Sequence, residues 1–320
     1  MTPRAASYRR GLHELGDGLH AFLQPDGGWG WSNAGLIVAD GASLLVDTLF
    51  DLALTAEMLE AMAPHLRRNP LAIAFNTHGN GDHCYGNRLL PDGITIIASA
   101  AADEEIRAVP PAAAHALFKE ADLGPEFRAF ADEAFGPFRF AGNELRPPTE
   151  TFASEHSVRV GDREVQLMRL GPAHTDGDAI AWVPDARAVF TGDILFIKGT
   201  PVMWAGPVSR WLAATERILA LDPQVIVPGH GPLADPGMVR DMEEYLRFVE
   251  QEATLRFRAG MDPIAAADDI DLGRYADWGD RERIAVNVDA IYHELDPALP
   301  PTPVPELFVR MARWRARHPR

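Results

Sequence analysis

Residues 75–87 read Phe-Asn-Thr-His-Gly-Asn-Gly-Asp-His-Cys-Tyr-Gly-Asn (FNTHGNGDHCYGN). Within thirteen positions they place His78, Asn80, Asp82 and His83 on a glycine-bearing segment. Imidazole, carboxylate and amide oxygen are all metal-seeking groups, and their close spacing suits a metal site. The segment follows the apolar run Leu71–Phe75, which predicts a buried strand. That run is preceded by LALTAEMLEAMAPHL, where Leu52, Met58, Leu59, Met62 and Leu66 recur at helical spacing. Before the helix, HAFLQ, AGLIVAD and SLLVDT are short β-type runs divided by glycine turns. A strand, helix, strand order of this kind predicts a layered α/β fold.

Three later segments repeat the pattern of a polar residue just past an apolar strand. His174 follows VQLMRL, Asp193 follows AVFTG and His230 follows QVIVPG. Layered α/β folds gather functional groups in the loops at the carboxyl ends of their strands, so four loops can converge on one centre. Four imidazoles, two carboxylates and one amide suit zinc, and also iron or manganese. A bridging carboxylate can hold two such ions about 3.5–4 Å apart. A single loop histidine is seldom a ligand, but joint coincidence of four strand-end loops is improbable. The other histidines (His13, His20, His65, His115, His156, His293 and His318) fall outside these loops and are read as ordinary surface or core residues. Thr175, Asp176 and Asp178 are candidates either to support His174 or to cap a turn. Cys84 is read as buried packing.

The chain has 320 residues, 47% hydrophobic and 24% charged, which fits a folded domain with an appendage. Strand signals end near residue 235. The boundary is therefore placed between 1–235, a catalytic part with a helical insertion at about 100–148, and 236–320, a helical extension opening with the amphipathic run MVRDMEEYLRFVEQEATLRF. The insertion is a candidate lid or wall for a pocket. The extension could pack over the insertion, reshape the pocket mouth or form a homodimer interface. A net charge of −16 disfavours nucleic acid and anionic membranes as partners, and a small-molecule substrate is expected. No signal-peptide or membrane-spanning run is read, so a cytoplasmic location is expected. One cysteine excludes an intramolecular disulfide and cysteine-rich zinc sites.

The segments THGNGDH, GPAHTDGD, VFTGDILF and VIVPGHG, in this order, resemble the successive motifs of the metallo-β-lactamase superfamily, over roughly residues 18 to 235. The resemblance implies a four-layer αββα sandwich with one or two divalent metal ions at one edge. It assigns His78, position 80 and His174 to a first metal, Asp82, His83 and His230 to a second, and Asp193 to a bridge. The family motif carries histidine at position 80, where this chain has Asn80. A neutral amide oxygen is a harder and weaker donor than imidazole, which favours oxygen-seeking ions at the first position and weakens zinc there. The implied activity is metal-dependent hydrolysis of an ester, thioester, lactone or amide-like bond, with Asp82 as orienting or proton-relaying group. Iron-dependent redox chemistry is the alternative. Trp29 and Trp31, in PDGGWGWSN, are expected as an aromatic flap and Trp204 as the opposite wall, suiting an apolar or aromatic substrate.

Overall fold

Strand runs that are apolar at nearly every position need cover on both faces, and the two hydrophobic cores of the protein supply it. In this computed structural model, which describes residues 8–319, the chain opens with β1 (Gly11–Gly16), β2 (Leu19–Leu23), β3 (Ala34–Ala39) and β4 (Ala42–Val46). Helix α1 (Leu52–Leu66) leads to β5 (Leu71–Phe75), the short helix α2 (Gly81–Cys84) and β6 (Thr95–Ser99). The insertion then forms α3 (Ala100–Ala108), α4 (Pro111–His115) and α5 (Pro125–Ala134) before β7 (Glu150–Phe152) closes a seven-stranded sheet in the order of the chain. Strands β8 (Glu155–Val160), β9 (Arg163–Arg169), β10 (Ala179–Val183) and β11 (Ala188–Phe190), then α6 (Val208–Ala220) and β12 (Val225–Val227), build a second sheet ordered β12-β11-β10-β9-β8.

Side chains alternate between the cores. Leu44 and Val46 of β4 join Ala179, Ala181 and Val183 of β10 in the layer between the sheets. Leu45, Ile180 and Trp182 face the helices on the outside, with Met58 and Met62 of α1. This is the αββα sandwich, with further helices at its C-terminal end: α7 (Pro236–Arg258), α8 (Pro263–Asp269), α9 (Ile284–Leu295) and α10 (Val304–Arg317). The apolar stripe of α7 runs through Val239, Met242, Tyr245, Leu246 and Val249, all buried, while Met238 is only partly covered. In α1, Leu54 is buried where Leu59 and Leu66 stay partly covered.

The insertion is held down from two sides. Asp51, which caps α1 by accepting from the Leu54 amide (2.8 Å), also accepts from the Arg139 amide (3.0 Å). Across the other side, Phe308 of α10 packs edge-on to Phe118 (5.1 Å between centroids), and Arg315 pairs with Glu133. Of the roles open to the extension, packing over the insertion is one that the structure displays. Strands β1 and β7 and helix α8 carry too little apolar periodicity to be seen in the sequence. β1 is exposed or half-exposed along its length, and β7 buries only Phe152.

Candidate metal centre

Parallel pairing of β4, β5 and β6 and of β11 with β12 brings their carboxyl ends to one edge of the sandwich. His78, Asn80, Asp82 and His83 arrive there from the first sheet, and His174, Asp193 and His230 from the second. Asp193 lies at the middle. Its Oδ2 is 3.4 Å from His174 Nε2, 3.4 Å from His230 Nε2 and 3.8 Å from His78 Nε2, and its Oδ1 is 3.0 Å from His83 Nε2. Asp82 Oδ2 lies 3.3 Å from His230 Nε2 and 3.9 Å from His83 Nε2. The donor atoms thus fall into two overlapping sets that could hold an ion, His78–His83–Asp193 and Asp82–His83–His230. His174 is joined to the centre through Asp193 and Asn80, whose Oδ1 is 2.7 Å from His174 Nε2.

Each ring is turned inward by a partner behind it. Nδ1 of His174 meets the Val202 carbonyl (2.6 Å), Nδ1 of His230 the Gly27 carbonyl (3.0 Å), and Nδ1 of His83 the Asp47 carboxylate (2.9 Å). Thr77 gives its hydroxyl hydrogen to Asp47 (2.8 Å) and therefore accepts from His78 Nδ1 (3.0 Å). All four imidazoles consequently carry hydrogen on Nδ1 and turn Nε2 to the centre, the end that is free to ligate a metal once any proton on it has left. His78 Nε2, His83 Nε2 and Asp193 Oδ1 are buried without an aligned hydrogen-bond partner, a state that costs about 1–3 kcal/mol per group. Nε2 of His174 and Oδ1 of Asn80 are likewise two acceptors in contact, relieved by a shared cation or by turning the amide over. The residues present fit a divalent metal.

Electrostatics divide the rings. Burial, reinforced by His83, holds His78 well below the usual histidine range, and burial lowers His174 to about 4. Burial also opposes charge on His83 and His230, but the surrounding carboxylates, Asp193 foremost, raise His83 well above its ordinary value and His230 to about 9. Burial would raise Asp193, yet His230, His83 and His78 together hold it well below the carboxylate range.

Asp47 is a residue that motif reading passes over, although it ends the strand run SLLVDT. It sits at φ 62° and uses both oxygens, one on the Thr77 amide (2.7 Å) and the other on Thr77 Oγ1 and His83. Only its position, past the end of a buried strand, marks it in the sequence. Glu105 of α3 is the other, accepting from the amides of Asp176 (2.9 Å) and Gly177 (3.3 Å). Asp178 closes the turn after His174 by accepting from Thr175 N and Oγ1 (2.9 and 2.8 Å), so it caps that turn and does not reach the ring. Cys84 is buried beneath the loop, its thiol on the Asn80 carbonyl (3.3 Å).

The tryptophans separate. Trp29 and Trp204 meet at 6.4 Å, both against Phe308, whereas Trp31 packs on Phe138 with Arg10 over its ring. Trp29 and Trp31 line one cavity of ≈ 640 Å³ and Trp204 a second of ≈ 630 Å³; no member of the metal-seeking set lines either. Asn80 and Asp82 are the members of that set that keep partial exposure.

The chain resembles known proteins. It is 24% identical over 201 residues to the 2,4-dinitroanisole O-demethylase subunit alpha of Nocardioides sp., covering 61% of this chain and 51% of that protein, so it spans about half the length of that relative. With a hydroxyacylglutathione hydrolase of Brucella anthropi it shares 26% identity over 237 residues, 73% of this chain and 68% of the relative. Among solved structures, the stereoselective inverting sec-alkylsulfatase Pisa1 from Pseudomonas sp. superposes with a TM-score of 0.65 at 16% identity, over 92% of this chain and 52% of its own. A metallo-beta-lactamase from Pontibacter korlensis gives 0.55 at 16% identity over 75% and 99%. At such identities the likeness is one of fold. The sequence profile of the metallo-beta-lactamase superfamily matches residues 27–230, the span that carries all four converging loops, and the chain belongs to that superfamily.

Proposed function

We propose that the protein is a metallo-hydrolase that cleaves an ester, thioester, lactone or amide-like bond of a small apolar or aromatic molecule. The observation that carries this reading is the ring of four inward Nε2 atoms around Asp193, with three buried atoms lacking an aligned hydrogen-bond partner. His78, Asn80 and His174 would hold one ion, Asp82, His83 and His230 another, with Asp193 between them. Zinc is the first choice, and iron or manganese suits the Asn80 side. Bound there, a divalent ion supplies Lewis acidity, polarising a carbonyl and lowering the pKa of water towards ~7. Asp82 keeps partial exposure and sits 3.3 Å from His230, so its carboxylate can orient the attacking water and take a proton towards the leaving group. Trp29, Trp31 and Trp204 are proposed as apolar contacts for the substrate.

Similarity to a hydroxyacylglutathione hydrolase supports the hydrolytic reading, and similarity to an O-demethylase of dinitroanisole supports an aromatic substrate. A second reading, redox chemistry on iron, draws on the hard oxygen donor of Asn80. No described helix is long and apolar enough to cross a membrane, and we place the protein in the cytoplasm, acting on small molecules and not on nucleic acid. The test is metal content of the purified protein followed by a panel of activated esters, thioesters and lactones. Chelation should abolish turnover and metal return should restore it. Full activity without metal would sink the proposal. Silence of a fully loaded protein towards every hydrolytic substrate, with iron-dependent oxygen consumption, would establish the redox reading instead.

A further inference from the structure

We infer that the segment 281–287 of the C-terminal extension orients two histidines of the metal centre from behind: Asn287 is the positioning residue for His174, and Arg283 the positioning residue for His230. This rests on the metal-binding reading above.

Asn287 is fully buried in α9. Its Oδ1 accepts from the Met203 amide (2.9 Å) and its Nδ2 donates to the Pro201 carbonyl (2.9 Å). The two bonds bracket Val202 on either side, and the carbonyl of Val202 is the group that fixes His174 Nδ1 at 2.6 Å. On the far side of the same loop, the amides of Trp204 and Ala205 both donate to the His174 carbonyl (2.9 and 3.1 Å). A carboxamide is the side chain that supplies one donor and one acceptor in a single plane, and here both are used on one tripeptide.

Arg283 is a cation that is 1% exposed, held by the Thr200 carbonyl (2.8 Å) and Asp280 (3.0 Å). Its guanidinium lies 4.1 Å from the Trp29 ring centre and 5.2 Å from that of Phe196. Phe196 stacks on His230, 5.1 Å away and only 6° from parallel. Trp29, whose indole N–H is held by Glu282 (2.9 Å), follows the Gly27 carbonyl that fixes His230 Nδ1 by two residues. Arg283 thereby meets both supports of His230, the ring on its face and the loop behind its Nδ1. Nothing in the loops that bear the ligands requires a helical extension; these contacts give it a task.

The experiment is a double-mutant cycle on cobalt(II) affinity of the full-length protein, read by visible spectrum and chelator competition. Asn287→Leu is expected to weaken cobalt binding by about 10- to 100-fold, the range for loss of a ligand's outer support. The weakening should vanish in the His174→Ala background and persist in the His230→Ala background. Arg283→Met should show the reverse. Where either variant fails to fold by circular dichroism, Asn287→Ser and Arg283→Lys take its place, each neutral or charged as the native residue is and each expected to give a smaller loss with the same background dependence. Unchanged affinity in folded variants, or losses that persist alike in both backgrounds, would overturn the inference. A folded wild-type protein that takes up no cobalt would overturn the metal reading itself, a separate outcome.

Discussion

Asn80 touches His174 and Asp47 backs His83, and the two carry opposite lessons. Asn80 lies in the motif and can be read from the sequence, and its amide oxygen faces His174 at 2.7 Å. Restoring an imidazole with Asn80→His should tighten zinc at the His78–His174 side, seen as a higher zinc equivalent per chain after dialysis; an unchanged zinc content would show that position 80 is no ligand. Asp47 cannot be read from the motif because its role depends on the chain folding back so that β4 lies beside β5. Asp47→Ala leaves the His83 ring without its rear acceptor, and metal affinity should fall about 10- to 100-fold in chelator competition. Equal affinity in a folded variant would show that His83 is oriented without it.

Elements were legible in proportion to their apolar periodicity. α1 spans Leu52–Leu66 as the spacing predicts, and the long α7 is a strong amphipathic repeat. β7 is three residues long, two of them exposed, so only the parallel neighbour β6 makes it a strand. Contacts between elements are the least legible, as Glu294 shows. It sits on α9, accepts from the Val208 amide at the start of α6 (3.0 Å), and burial raises its pKa from 4.5 to about 7. Below about pH 4.5 both folded and unfolded chains hold that proton; as pH rises through the window up to 7 the unfolded chain ionises first, so stability is lost. Glu294→Gln keeps the acceptor and removes the charge. Its melting temperature should match the wild type near pH 4.5 and exceed it at pH 8, and a constant difference across that range would refute the assignment.

At the scale of the molecule, a layered α/β fold and the convergence of four loops were foreshadowed by strand ends and glycine turns, which are local signals, and the αββα sandwich by the family resemblance of the motifs. The engagement of the extension was not, since Phe308 with Phe118, Arg315 with Glu133 and Asn287 with Pro201 join residues far apart in the chain. Its helices share one core with α1 and the insertion. Deleting residues 236–320 would bare the aromatic cluster around Phe118, Phe130, Phe135 and Trp204, a contiguous apolar face of the kind that drives association. Such a truncation should aggregate and bind hydrophobic dyes; a monomeric 1–235 fragment that still binds metal would count against this view.

The candidate ligands come from both halves of the chain. Three of them leave the seven-stranded sheet and three the five-stranded sheet, with Asn80 beside the first group. An ion held between them would act as a cross-link between the two halves of the chain, closing a span of about 150 residues from His83 to His230. With one cysteine the chain has no intramolecular disulfide, and the ion would take the place of one. Cross-links over loops of such length restrict the unfolded chain by about 4–5 kcal/mol.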